Sequence, residues 1–159
     1  IERLAPQEME AVLAHELGHF KLKHIVKRIT LMFIVSLGFL ALLGYLKEQV
    51  WFFSGLGVNP VSFASSIDAI ALILFMLSLP VFTFMLSPLM SISSRKHEFE
   101  ADAFAVQHTN AVDLCSALVK LYEDNASTLT PDPLHSAFYD SHPPASIRIA
   151  HLQKPVLAN

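Results

Sequence analysis

The chain has 159 residues, of which 53% are hydrophobic and only 16% charged, and its net charge is −3. That balance is too apolar for an ordinary soluble domain, and it carries no global basic signal for a nucleic-acid partner. A single cysteine, Cys115, excludes a fold built on internal disulfides.

Taken in order, the sequence opens on Ile1 and enters a helical pattern almost at once, with no apolar leader. It is expected to be a piece of a longer protein. Pro6 suits a first helical turn, and Glu8 and Glu10 favour the positive end of the helix dipole. No proline interrupts from there to Arg28, so the pattern predicts one helix over residues 6–28. Residues 29–46 carry no charge; as a helix they would extend about 27 Å, close to the thickness of a hydrocarbon core. Residues 69–92 are also free of charge and contain Pro80 and Pro88, where a kink or tilt is expected. Both runs read as transmembrane spans. Trp51, Phe52 and Phe53, just past the first span, read as an interfacial aromatic anchor.

Lys21, Lys23, Lys27 and Arg28 precede the first span, and Arg95 and Lys96 follow the second. The loop between the spans carries one lysine, one glutamate and one aspartate. By the positive-inside rule the outer flanks face the cytoplasm. Beyond Arg95 the chain turns polar. Residues 98–107 continue the second helix, and Leu114, Ala117, Leu118, Leu121 and Tyr122 recur at helical spacing, a stripe best read as core packing. Residues 125–144 read as an irregular loop, and 146–153 as a short closing helix.

Three stretches carry chemistry. In His15-Glu16-Leu17-Gly18-His19 the two histidines, four apart, share one helix face, so their imidazoles can converge on one zinc ion. Glu16 beside them can take a proton from a water. Gly18, costly inside a helix by about 1 kcal/mol, suggests close packing near the site. Zinc needs a third ligand and an open position. A third histidine six residues past His19 is ruled out, because that place holds Ile25. A glutamate from a later helix is the other common solution. Glu98 and Asp102 share a face, whereas Glu100 lies about 200° round from Glu98 and should point away. Glu98 is therefore expected to be the ligand, with Asp102 accepting a hydrogen bond from a zinc histidine, His15 by preference. His142-Pro143-Pro144 and Arg148 form the third stretch. A stiff-turn histidine could stabilise an oxyanion and the arginine could hold a substrate backbone. From the residues alone, a loop histidine and a surface arginine is the plainer reading. His24 could touch the site, but a surface or interfacial histidine is the plainer reading, and His97 has no usable partner spacing. Cys115 reads as a small buried apolar residue.

HELGHFKLKH, SRKHEFEADAFA and HPPASIRIAHL stand here in the order and character of the CAAX prenyl protease 1 (Ste24-type) integral-membrane metallopeptidases. The chain resembles the C-terminal part of such an enzyme, two spans between the zinc motifs included. The resemblance implies zinc on His15, His19 and Glu98, catalysis by Glu16, and contact of His142 and Arg148 with bound peptide. In that family several N-terminal spans enclose a membrane chamber, and prenylated peptides are cut near their C-terminus.

The expected protein is thus all-α and multi-pass. Zincin-type helices are joined through a two-span hairpin and completed by a small polar helical cap. It is expected to be one catalytic domain over 1–159: zinc-site helix 6–28, spans 29–46 and 69–92, third-ligand helix and cap 93–159. It would bind one Zn2+ per chain, with its site on the cytoplasmic side, and would act in the bilayer on peptide or protein substrates, prenylated ones among them. A zinc-binding membrane scaffold without peptidase activity is the alternative, against which the intact Glu16 argues.

Overall fold

The computed structural model describes residues 3–124, 132–140 and 142–153. Its helices are α1 (Pro6–Lys21), α2 (His24–Leu46), α3 (Val50–Gly55), α4 (Ile67–His108), α5 (Ala111–Asp124), α6 (Pro133–Tyr139) and α7 (Ala145–Leu152). A 3-10 turn over Pro60–Ser66 precedes α4. Among the described residues there is no strand. Contacts divide the chain into two compact units, residues 1–25 with 87–159, and residues 26–86.

In the first unit α1 packs against α5, and α5 against α7. Ala11 and Ala14 of α1, Ala105 of α4 and Leu114 of α5 form the core, with Val106 and Leu152 against it. Small residues let the helices approach closely. A Cβ added at Gly18 would lie 3.1 Å from both Ala101 Cα and Phe104 Cβ, so the glycine is where α1 meets α4. Glu8 ties down the other end of α1. Its carboxylate accepts from Ala5 N–H at 2.7 Å, Lys120 Nζ at 2.7 Å and Ser116 Oγ at 2.6 Å. These partners hold its pKa down, at about 2 against an ordinary 4.5.

The helix expected over 6–28 is two helices. α1 ends at Lys21, and Lys23 adopts a left-handed backbone, φ 56°. Leu22 N–H still bonds Gly18 C=O at 2.9 Å, and Lys23 N–H reaches Phe20 C=O at 3.1 Å. The turn closes the helix as a glycine usually would, but with a lysine, which costs about 1–2 kcal/mol in that conformation.

In the second unit the core is aromatic: Phe52, Phe53, Ala71 and Phe75 are buried, with Phe39, Leu43 and Leu46 packed on them. Phe52 and Phe53 are therefore packing residues and not surface anchors; only Trp51 of that trio is exposed. The reason is α3, a short helix that folds the two rings inward within the segment read as the loop between the spans. Both α2 and α4 are long and apolar enough to cross a membrane. None of the apolar window of α2 is buried within the chain, and only 11% of that of α4. α4 has 42 residues, about 63 Å at 1.5 Å each, and runs without interruption through Pro80 and Pro88. Hydroxyls help occupy its carbonyls: Ser78 Oγ donates to Leu74 C=O at 2.9 Å and Thr83 Oγ1 to Pro80 C=O at 3.3 Å.

Of the expected irregular segment 125–144, residues 125–131 and 141 lie outside the described residues. The rest contains α6. Asp132 caps it, accepting from Leu134 and His135 N–H at 2.9 Å each, and proline takes the first helical position.

Candidate metal centre

Three elements of the first unit build one polar cluster. α1 contributes His15 and His19, α4 contributes Glu98 and Asp102, and the His142 turn with α7 contributes His142 and Arg148. His15 Nε2 and His19 Nε2 are 3.1 Å apart. Glu98 Oε2 lies 3.6 Å from His15 Nε2, and Glu98 Oε1 3.5 Å from His19 Nε2. Ligand atoms placed tetrahedrally at about 2.05 Å round a zinc ion stand roughly 3.3 Å from one another. The two imidazole nitrogens, with one Glu98 oxygen facing each, stand near that spacing. Glu98 Oε2 is buried without a hydrogen bond, and its charge is met by the Arg148 guanidinium at 3.2 Å. Donor set and spacing fit a zinc ion held by His15, His19 and Glu98.

The surroundings fix these donors. Asp102, fully buried, places Oδ1 2.9 Å from His15 Nδ1. That hydrogen bond leaves Nε2 as the free lone pair. Arg148 closes the pair from α7: its Nε donates to Asp102 Oδ2 at 2.9 Å and its Nη2 to Asp102 Oδ1, while Nη1 is 3.2 Å from Glu98 Oε2. Arg148 is only 6% exposed. It is therefore not the surface arginine of the plainer sequence reading. Its fork is directed at two carboxylates. His142 Nδ1 is 2.9 Å from Glu98 Oε1, with a side chain 62% exposed. Glu16 is exposed on α1 next to His15.

Charge follows geometry. Burial disfavours the His15 cation, but hydrogen bonds to Asp102 and Glu98 outweigh it and lift its pKa to about 9. Burial also opposes ionisation of Glu98. Hydrogen bonds from His142 and His15 and the Arg148 charge overcome this and hold the carboxyl well below the usual range. Asp102 is likewise lowered against burial, by His15 and Arg148. His19 is lowered by burial and by neighbouring His15. Burial and His15 thus favour the neutral form of His19, the form that ligates a metal.

Sequence reasoning missed a second layer. His24, expected at the surface, is 3% exposed. Its Nδ1 lies 3.1 Å from His19 Nδ1, and its Nε2 3.0 Å from Glu100 Oε2. His97 stacks on it, ring centroids 4.2 Å apart. Glu100 does turn away from the Glu98 cluster, toward His24. The signal was the last histidine of HELGHFKLKH, but five residues from His19 is not a helical neighbour spacing. Cys115 is half-buried, and burial pushes its thiol pKa up.

Fold and donor set together define a helical protein in which an HExxH helix and a glutamate from a later helix bring together donors that could hold a metal ion. Residues 1–156 match the family model of peptidase family M48, and the chain belongs to that family. It is 39% identical over 144 residues to the CAAX prenyl protease 1 homolog of Arabidopsis thaliana, covering 89% of this chain and 32% of that protein. To the human CAAX prenyl protease 1 homolog it is 37% identical over 151 residues, 92% of this chain and 30% of the relative. The crystal structure of S. mikatae Ste24p superposes with TM-score 0.75 and 28% identity, over 90% of this chain and 36% of that one. The chain thus spans about a third of the length of the curated relatives it matches.

Proposed function

We propose that this chain forms the catalytic core of a membrane-embedded zinc endopeptidase with one Zn2+ per chain. The observation that carries the reading is the convergence of His15, His19 and Glu98, whose donor atoms lie within 4.8 Å of one another. Zinc bound there supplies a Lewis acid that polarises a carbonyl and makes water a nucleophile at neutral pH. Glu16, exposed beside His15, takes the proton of the attacking water and delivers it to the leaving amine. His142 holds Glu98 through Nδ1 and is exposed enough to donate from its ring to the oxyanion of the tetrahedral state. Arg148 serves the reaction through Asp102 and Glu98, fixing the tautomer of His15 and the direction of the carboxylate.

α2 and α4 act as membrane spans, their exposed apolar faces supporting that reading, and the basic flanks support a site on the cytoplasmic side. Likeness to proteins named CAAX prenyl proteases makes a prenylated C-terminal peptide the first substrate class to try.

The test is hydrolysis of quenched hydrophobic peptides, with and without a farnesyl group, by detergent-purified protein. Chelator-sensitive cleavage is expected, with Glu16→Gln at least 100-fold slower yet still binding zinc. Zinc binding without cleavage of either peptide would instead make the chain a metal-binding scaffold. More than a few per cent of activity in Glu16→Gln would remove Glu16 as the base.

A further inference from the structure

The zinc reading gives His15 an orienting carboxylate in Asp102 and leaves open what orients His19. A histidine that ligates through Nε2 presents its Nδ1–H to a hydrogen-bond acceptor, which sets both tautomer and ring plane. The atom in that place is His24 Nδ1, at 3.1 Å. Its acceptor role requires the proton of His24 to be on Nε2, and Nε2 is the atom that faces Glu100 Oε2 at 3.0 Å. One assignment therefore satisfies every contact: His19 Nδ1–H donates to His24 Nδ1, and His24 Nε2–H donates to Glu100. We infer that His24 and Glu100 form a positioning relay for His19, the counterpart on α4's other face of the Asp102 contact to His15. The inference rests on the zinc reading of His15, His19 and Glu98.

Backbone geometry puts His24 there. In an uninterrupted helix five residues turn about 500°, so His24 would sit some 140° round from His19 and face elsewhere. The left-handed Lys23 ends α1 and starts α2 at His24, which returns the imidazole to the side of His19. Non-glycine residues held in this region store strain of roughly 1–3 kcal/mol, and such strain clusters at functional sites. His24 is buried to 3% exposure, with its ring face covered by His97.

A second cation between His24, His97 and Glu100 is the competing use of these residues, since their donor atoms lie within 4.8 Å of one another. The rings argue against it. Imidazole ligates through a lone pair in the ring plane, and the His24 and His97 planes are 11° from parallel at a centroid separation of 4.2 Å. Planes stacked in that way do not meet at a bonding distance from both nitrogens. His97 is thus a clamp on the His24 ring, and Lys96, 3.7 Å from Glu100 Oε1, helps hold the carboxylate.

The test is zinc affinity by chelator competition, with the visible spectrum of the Co2+-loaded protein, for parent, His24→Phe, His24→Asn and Glu100→Ala. Phenylalanine keeps the ring stack and loses both hydrogen bonds; asparagine can place Oδ1 where Nδ1 was. Zinc affinity is expected to fall about 10–100-fold in His24→Phe. It should recover most of that loss in His24→Asn, fall less in Glu100→Ala, and be accompanied by an altered Co2+ spectrum in His24→Phe alone. Should His24→Phe fail to fold, His24→Asn against His24→Gln carries the comparison, with glutamine the weaker binder. Parent-like affinity in His24→Phe, or in both His24→Gln and Glu100→Ala, overturns the relay. A second equivalent of zinc, lost in His24→Asn, overturns it in favour of a second metal site. A folded parent that binds no zinc overturns the zinc reading itself, and the relay with it.

Discussion

The unit of residues 1–25 and 87–159 buries Glu8, His15, His24, Glu98, Asp102 and Arg148, whereas the unit of residues 26–86 buries phenylalanines and an alanine and exposes Leu37, Leu40, Ile73 and Leu77. Among the described residues every buried charged side chain belongs to the first unit. The two units obey the same rule in different surroundings. Buried charge is tolerable where each ion meets an opposite ion and a hydrogen bond, as around Arg148. Exposed leucine is favourable where the surrounding medium is itself apolar. The contrast separates a buried polar cluster in one unit from exposed apolar helices in the other.

Several changes would break that contrast or sharpen it. The largest effect is expected within the polar unit. Glu98→Ala should abolish zinc binding, while Glu100→Ala, a neighbour on the same helix, should still reach one zinc per chain at saturating metal. Elemental analysis reads this directly, and swapped phenotypes would mean the wrong carboxylate was assigned. Next comes a charge placed in each unit. Leu37→Lys, in the middle of the exposed apolar stretch of α2, should weaken membrane insertion by about 2.5–3.5 kcal/mol. Val112→Lys, equally exposed on α5, should change stability by less than about 0.5 kcal/mol. Equal, small effects in an insertion assay would show that α2 does not meet lipid.

Gly18→Ala probes the seam that brings the histidines to Glu98. Its Cβ would press on Ala101 and Phe104 at 3.1 Å, so a cost of about 1–3 kcal/mol in thermal unfolding is expected, with weaker zinc binding. Unchanged unfolding would mean that α1 and α4 have room to part. The smallest effect is a pH dependence. The folded pKa of Glu8 is depressed, to about 2 from 4.5. Its contribution to stability is therefore complete above about pH 4.5 and is lost as pH falls toward 2. Glu8→Gln should flatten the acid side of the unfolding-temperature profile across that window. A variant with the parent's slope there would show that the Lys120 and Ser116 contacts do not persist in solution.

Local pattern made much of this legible. Two charge-free runs of span length, a histidine pair four apart, and a glutamate sharing its face with an aspartate are statements about helical periodicity, and the helices exist. Where tertiary packing overrides local signals the reading stopped short. Leu22-Lys23 contains no helix stop, so the break there could not be seen, and with it went the position of His24. Phe52 and Phe53 look like anchors until α3 turns them inward. Arg148 looks like a surface arginine until α7 packs on α5 and presents its guanidinium to Asp102 and Glu98, residues more than forty positions away.

The sequence by itself determined the helical class, the two apolar segments and the chemical kinds of donor available, because each follows from residue type and a period of 3.6. Only the tertiary structure decided which donors meet. Gly18 lets α1 lie against α4 at van der Waals distance, and a left-handed lysine breaks the helix and brings His24 back beside His19. An arginine held between two carboxylates then fixes the rest, since a buried charge is stable only where its partners already stand.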